Sequence, residues 1–259
     1  MAQSRNADDL QEKKLIEFIV AILAFLSMMS AVLLGLYSKT RLPSLHLQGD
    51  TRRVVRRVAN LFVVMTSLVL GLMLNSAKNT FETNNRNVRA LATEIILLDR
   101  TMRALGPDAE DARQHLVEYV QTTLKGATLE EDPQAEALLD AAGTSLRAIR
   151  ASDEQKVALW NDARELYRQV VRQRWVLIDA SGGTIPTPLI IMVVLWLAII
   201  FASFGYGAPR NTIVTASCFL AALLISAALY LILDMDTPNS SMVRASNAPF
   251  QRALAQLQR

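Results

Sequence analysis

Six residues of one predicted helix could line a water-filled path through a membrane. They are Asn60, Val64, Ser67, Gly71, Asn75 and Lys78. Because they recur every three or four residues, they share one helix face, which is largely small or polar within an otherwise apolar segment. Several copies around an axis would form the wall of an ion pore. Small residues also let helices approach closely inside one subunit, so the spacing leaves pore lining and helix packing as alternatives.

The other reactive residue types do not assemble into a catalytic site. The two histidines, His46 and His115, fall on opposite sides of the predicted membrane, and no phosphate loop or nucleophile elbow occurs. The single cysteine, Cys218, excludes a disulfide framework and a cysteine metal cluster. Asp234 and Asp236 offer too few oxygens for calcium, and we interpret them as a solvated helix end. We expect no enzymatic activity, no cofactor and no metal.

The element that carries the six residues is one of four stretches with almost no charge. The stretches are 15–37, in which only Glu17 is charged, 58–77, 181–209 and 211–233. A hydrocarbon core about 30 Å thick is crossed by roughly 20 helical residues, so each stretch can span a bilayer. The net charge of +3 implies no nucleic-acid partner. The sequence therefore predicts a multi-pass protein of the lipid bilayer.

The second membrane helix is expected to continue into the polar region beyond it. Apolar residues recur there at alternating spacings of three and four and form a seam, interrupted by Asn84, that could pack within this region or between subunits. The seam consists of Phe81, Val88, Leu91, Ile95, Leu98, Met102 and Leu105. Gly106 and Pro107 end the helix. Three further helices follow, over about 108–125, 133–149 and 153–178, the last capped by Ser152.

The predicted fold is an all-α membrane protein in which two transmembrane hairpins flank a helical insert between helices two and three. The expected divisions are an N-terminal tail 1–14, a first hairpin with a basic loop 15–77, the insert 78–183, a second hairpin 184–233 and a C-terminal tail 234–259. Lysines and arginines are shared almost equally between the two sides in the short segments, so charge does not orient the chain.

Several motifs resemble the bestrophin-like family of bacterial membrane proteins, which carry a domain of uncharacterised function. The motifs, in order, are Leu42-Pro43-Ser44-Leu45-His46-Leu47, Val54-Val55-Arg56, Leu68-Val69-Leu70-Gly71-Leu72, Ser76-Ala77-Lys78, Leu97-Leu98-Asp99-Arg100 and Leu105-Gly106-Pro107. The later Asp236-Thr237-Pro238 and Ser246-Asn247-Ala248-Pro249 also fit. The sequence departs from the family pattern at Asn239 and Ser241, where phenylalanine and glycine are usual.

The resemblance implies a function for the second membrane helix. Bestrophins are pentameric ion channels in which this helix lines a narrow apolar neck and continues into a cytosolic helical body. The expected protein is a homo-oligomer, for which the resemblance implies a pentamer, in the cell inner membrane. Its insert would be cytoplasmic, and an inorganic ion would pass along the six-residue face. The competing hypothesis is a non-conducting scaffold or sensor, anchored by its four spans, whose insert binds another protein.

Overall fold

The computed structural model describes residues 2–41, 49–125, 133–150, 153–179, 183–207, 211–237 and 248–258. Every regular element in these ranges is helical, which confirms the all-α prediction. The helices are α1 Ala2–Arg41, α2 Gly49–Leu105, α3 Glu110–Lys125, α4 Pro133–Ala148, α5 Glu154–Asp179, α6 Thr187–Gly207, α7 Thr212–Asp236 and α8 Ala248–Leu257, with a 3-10 turn at Gly106–Ala109.

The chain divides into two compact units. The first, here the span unit, comprises Lys13–Asn79 and Gly183–Asp236. It contains the helical stretches that are long and apolar enough to cross a membrane, and these lie in α1, α2, α6 and α7, as predicted. Large apolar side chains such as Leu23 and Leu224 are exposed on its surface, which suits contact with hydrocarbon.

The core of the span unit combines small side chains with large apolar ones. Ala24, Met28, Val193, Phe201 and Leu229 are almost completely buried. The alanines of this core, such as Ala24 and Ala222, let helices approach closely. Close packing holds helices together in lipid, because the hydrophobic effect does not drive apolar helices together there. The bundle therefore depends on the shape of its helix faces.

The second unit, here the insert unit, contains Thr80–Gly182 and Thr237–Arg259, together with Met1–Glu12. Its core joins the polar part of α2 to α3, α4, α5 and α8. The predicted inward residues Leu116, Tyr119, Leu139 and Leu146 are buried there. Helix α8, which falls in the predicted C-terminal tail, also contributes Phe250 to this core, and the sequence analysis did not anticipate that helix.

Two helix ends in the insert unit show local control by single residues. Gly106 has a φ of +80°, which only glycine adopts easily, and it ends α2 with Pro107 starting the next turn. At the start of α5 the backbone nitrogen of Lys156 donates to a carboxylate oxygen of Asp153 at 2.7 Å. The capping side chain that the structure describes is thus Asp153. The predicted cap, Ser152, lies outside the described residues.

Candidate functional site

The six-residue face of α2, here the α2 stripe, is exposed along its whole length. Asn60, Ser67, Asn75 and Lys78 are exposed, and Val64 is 68% exposed. A β-carbon added at the sixth member, the glycine at position 71, would meet no atom within 4 Å. The stripe therefore lies on the outer surface of the chain.

The opposite side of α2 explains why the stripe faces outward. Ala59, Thr66, Met73 and Ala77 are buried against the span unit. At about 100° per residue, these four positions are centred about 130° around the helix from the stripe. The apolar and small residues on that side fix the rotation of α2 in the bundle, and the polar residues are left on the surface.

The exposed surface of α2 divides into two chemically different strips. Beside the α2 stripe runs a row of bulky apolar side chains, Leu61, Met65, Leu68 and Leu72, which are between 48% and 66% exposed. Such a row suits lipid or an apolar partner helix. The amides of the α2 stripe do not suit hydrocarbon, because a polar group without a hydrogen-bond partner costs several kcal/mol there, about 4 to 8 for transfer from water to cyclohexane.

The hydroxyl group of Ser67 is oriented by its own helix. Its Oγ donates to the carbonyl oxygen of Val63 at 2.8 Å. This bond satisfies the hydroxyl hydrogen and leaves the oxygen lone pairs on the exposed side. Among the stripe residues, asparagine amides offer both donors and acceptors, so the stripe presents mixed polarity without a fixed charge between its ends.

Positive charge is found at both ends of the α2 stripe. Arg57 is exposed before the uncharged segment 58–77, and Lys78 is exposed directly after it. Both lie on the same helix face as the stripe, by the angle of about 100° per residue. Several copies of the stripe around an axis would present rings of positive charge at its two ends, and charged rings bias which ions enter a pore.

The predicted seam lies in the core of the insert unit. Its members from Val88 to Leu105 are at most 2% exposed, whereas Phe81 is half-buried. The seam therefore packs within the chain. Asn84 interrupts it and is 1% exposed, and neither atom of its side-chain amide has a hydrogen-bond partner in the described part of the structure.

The interpretation of Asp234 and Asp236 as a solvated helix end was wrong. Asp234 is 0% exposed and Asp236 is 3% exposed. The carboxylate of Asp236 accepts a hydrogen bond from Oγ1 of Thr184 at 2.6 Å and another from the backbone nitrogen of Ile185 at 2.9 Å. It thus fastens the end of α7 to the segment that leads into α6. Among the described residues, no group of three or more His, Cys, Asp or Glu side chains could hold a metal ion.

A second buried carboxylate, Asp99 of α2, organises the insert unit and was missed from the sequence. Its two oxygens accept from Nε of Arg103 at 2.8 Å and from Nε of Arg113 at 2.7 Å. Both guanidinium groups also donate to the carbonyl oxygen of Leu257, each at 3.0 Å. The hydrogen bond to Asp99 raises the pKa of Arg113, although burial opposes the rise. The spacing of Asp99 and Arg103 by four residues was the available signal.

These observations define an all-helical, multi-pass membrane protein with a helical insert and an outward polar stripe on its second span. Comparison with known proteins then gives its family. Residues 26–250 match the model of the Bestrophin-like domain, so the chain belongs to the Bestrophin-like family. This confirms the resemblance inferred from the motifs. No curated protein matches the chain.

The fold is similar to that of solved bestrophin structures. A single-residue variant of a bacterial bestrophin homolog from Klebsiella pneumoniae superposes with a TM-score of 0.64 at 13% sequence identity, covering 91% of this chain and 97% of that chain. A second variant of such a homolog from the same organism gives a TM-score of 0.59 at 12% identity, covering 93% and 97%. A variant of a membrane protein gives 0.57 at 13% identity, covering 96% and 97%.

Proposed function

We propose that the chain is one subunit of a homo-oligomeric ion channel in which the α2 stripes of several subunits surround the conducting path. The observation that carries the proposal is the exposure of the stripe residues, since Asn60, Ser67 and Asn75 face away from their own subunit within a segment that crosses the membrane. Polar residues in membrane spans usually face a water-filled cavity or a bundle interior. Assembly around a common axis supplies both surroundings.

A ring of five subunits fits the size of an ion path. With neighbouring α2 helices about 10 Å apart, five helix axes lie on a circle of radius about 8.5 Å. A helix radius of about 5 Å leaves an opening of about 3.5 Å in radius. The small residues Ser67 and Gly71 keep that opening free, and Val64 narrows it with an apolar side chain. The family resemblance supports the same number, an insert in the cytoplasm and placement in the cell inner membrane.

The charges at the ends of the stripe favour anions over cations. Arg57 and Lys78 bracket a segment without charge, and both are exposed on the stripe side of the helix. In a ring of several subunits, each position contributes a ring of positive charge, which raises the local concentration of anions. We propose passage of small inorganic anions, and we propose no catalytic role.

Substitution of Gly71 tests the proposal without disturbing the subunit. Because a β-carbon at this exposed position would meet no atom within 4 Å, Gly71→Trp is expected to leave the fold of the subunit intact while filling the path in a ring. Gly71→Ala is the mild control, and Ala221→Trp, on the exposed surface of α7, is the control for bulk. Ion flux into liposomes is expected to fall at least tenfold for Gly71→Trp only.

The oligomeric state separates the channel from the scaffold hypothesis. One subunit has too few polar span residues to enclose a path, so a monomer in mild detergent that remains a monomer in liposomes would rule out this pore. Light scattering of the purified protein and cross-linking in the membrane measure the state. Unchanged ion flux through an oligomer of Gly71→Trp would contradict the assignment of the stripe to the pore. It would not contradict the oligomeric state.

A further inference from the structure

The last turns of α5 expose an aromatic and an aliphatic side chain at a place where the rest of the helix is well packed. Trp175 is 54% exposed and its neighbour Val176 is 41% exposed. By contrast, Val170 and Leu177 are buried in the core of the insert unit. Among the described residues of that unit, Trp175 is the most exposed large hydrophobic side chain. Burying two adjacent apolar side chains of this size against a covering surface would be favourable.

The pair lies close in sequence to a membrane-spanning stretch. Helix α5 ends at Asp179, and the next membrane-spanning stretch starts at Thr187, after only seven residues. The short connection to the next span makes the lipid headgroup layer the nearest candidate surface for this pair.

The chemistry of the exposed residues matches that region. Tryptophan combines an apolar ring system with an N–H donor and is enriched at the level of lipid headgroups. Arg172, nearly one turn before Trp175, is exposed and can donate to phosphate oxygens. Arg168 is exposed but ion-paired with Glu165.

The charge balance of this face selects the kind of lipid. Asp179 is exposed one turn after Trp175 and faces the same side of α5 as Arg172. Glu165 and Arg168 offset each other through their ion pair, which lowers the pKa of Glu165. The exposed charges nearest Trp175 are Arg172 and Asp179, which sum to zero, while Arg164 on the same side of α5 lies over the Trp160 ring. A zwitterionic phospholipid offers both a phosphate for Arg172 and a cationic group near Asp179.

We propose that the end of α5 is an interfacial anchor, in which Trp175 and Val176 insert into the headgroup layer of a phospholipid bilayer and Arg172 contacts lipid phosphate. The anchor uses side chains of α5 and none of the α2 stripe. It does not depend on ion conduction by the protein.

The three tryptophans of the chain provide a matched set for the test. Trp196 lies near the middle of the span Thr187–Tyr206. Trp160 lies in the insert unit, where its Nε1 donates to the carbonyl oxygen of Leu146 at 2.8 Å. Full-length variants that retain one tryptophan each, with phenylalanine at the other two positions, are reconstituted into phosphatidylcholine vesicles. A nitroxide quencher is attached to the lipid headgroup in one set of vesicles and to the middle of the acyl chain in another.

The anchor predicts a distinct quenching pattern for each tryptophan. Trp175 is expected to be quenched at least twofold more by the headgroup nitroxide than by the acyl-chain nitroxide, Trp196 should show the reverse, and Trp160 should respond to neither. Trp160→Phe removes a hydrogen bond and could affect folding. The headgroup quenching of the natural chain is therefore also compared with that of Trp175→Phe alone, and the difference between them reports on Trp175.

Two results would overturn the anchor. If Trp175 is quenched by acrylamide in water and by neither of the two lipid nitroxides, its side chain faces solvent. If it is shielded from acrylamide and from both nitroxides, another protein subunit covers it. A channel that fails to conduct would leave the quenching pattern unchanged, so this proposal and the proposed function fail independently.

Discussion

Gly35 of α1 and Gly205 of α6 lie against each other's helix backbone. A β-carbon added to Gly35 would be 2.8 Å from the backbone nitrogen of Tyr206 and 3.1 Å from the carbonyl carbon of Gly205, and it would overlap the carbonyl oxygen of Ala202. One added to Gly205 would overlap the carbonyl oxygen of Val32. The two membrane helices therefore cross at a point where neither tolerates a side chain.

Alanine at either crossing glycine should loosen the span unit. Gly35→Ala and Gly205→Ala each force rigid backbone atoms apart, and overpacking of this kind costs typically 1–3 kcal/mol. Gly71→Ala is the matched control, because its β-carbon would meet nothing within 4 Å. Thermal unfolding in detergent, followed by circular dichroism, should show lower midpoints for the first two variants only. Equal midpoints for all three would contradict the close crossing.

Removal of the Asp99 carboxylate should release α8. Asp99→Asn leaves the guanidinium groups of Arg103 and Arg113 without their buried counter-charge, and breaking a buried ion pair costs about 3 kcal/mol or more. The two arginines are partly exposed, which keeps the loss near the lower end. The expected result is earlier cleavage by trypsin at Arg252 of α8, together with a lower unfolding midpoint.

An exposed ion pair serves as the control for Asp99. Nζ of Lys156 lies 3.1 Å from a carboxylate oxygen of Asp108, and both side chains are substantially exposed. Water screens such pairs, which contribute about 0–1 kcal/mol. Asp108→Asn should therefore leave the cleavage rate at Arg252 unchanged. If both variants behave alike, the network around Asp99 does not hold α8.

Charge reversal at Lys78 should change ion selectivity if the α2 stripe lines the path. Lys78→Glu replaces a ring of positive charge by a negative one, so the ratio of anion to cation permeability is expected to fall severalfold. Reversal potentials across a potassium chloride gradient measure the ratio. Lys125→Glu, at the exposed end of α3, is the control and should leave the ratio unchanged. An unaltered ratio in Lys78→Glu would place the lysine away from the path.

Alkaline pH should destabilise the insert unit through Tyr119. Burial raises the pKa of Tyr119 from 10.0 to about 12, although the charge of Arg174 and a hydrogen bond with Thr123 lower it. The phenol of Tyr119 ionises at a lower pH in the unfolded chain than in the folded one. Its contribution to the free energy of unfolding should therefore be constant below pH 10 and fall by about 1.4 kcal/mol per pH unit between pH 10 and 12. Above pH 12 both states are ionised, and this contribution is lost.

The variant Tyr119→Phe isolates that effect. Its unfolding midpoint should fall less between pH 10 and 12 than the midpoint of the natural protein. Tyr37→Phe, at a 54% exposed position, should follow the natural protein. A slope that is identical in all three proteins would mean that other groups govern the alkaline unfolding.

Much of the local structure follows from the sequence because its signals are local. The uncharged stretches gave the four membrane helices, and the seam residues from Val88 to Leu105 gave the buried face of α2. Gly106 gave the end of that helix. Helix periodicity and stop signals act over a few residues, so these features can be recognised without knowledge of the partner surfaces.

The features that organise the site depend on partners far apart in the chain. Spacing alone placed the α2 stripe on one face, but only the burial of Ala59 and Ala77 on the other side decided that this face points away from the subunit. Asp234 and Asp236 looked like a hydrated helix end, because no short motif predicts that the segment before α6 supplies the hydrogen bonds of Asp236.

The sequence by itself therefore determined the membrane class, the helices and the polar pattern of α2, which all follow from the order of side chains along one helix at a time. Tertiary structure decided which carboxylates are buried, where Gly35 meets Gly205 and which face of α2 stays free. The physical reason is that burial and close approach are properties of two surfaces, and the second surface lies tens or hundreds of residues away.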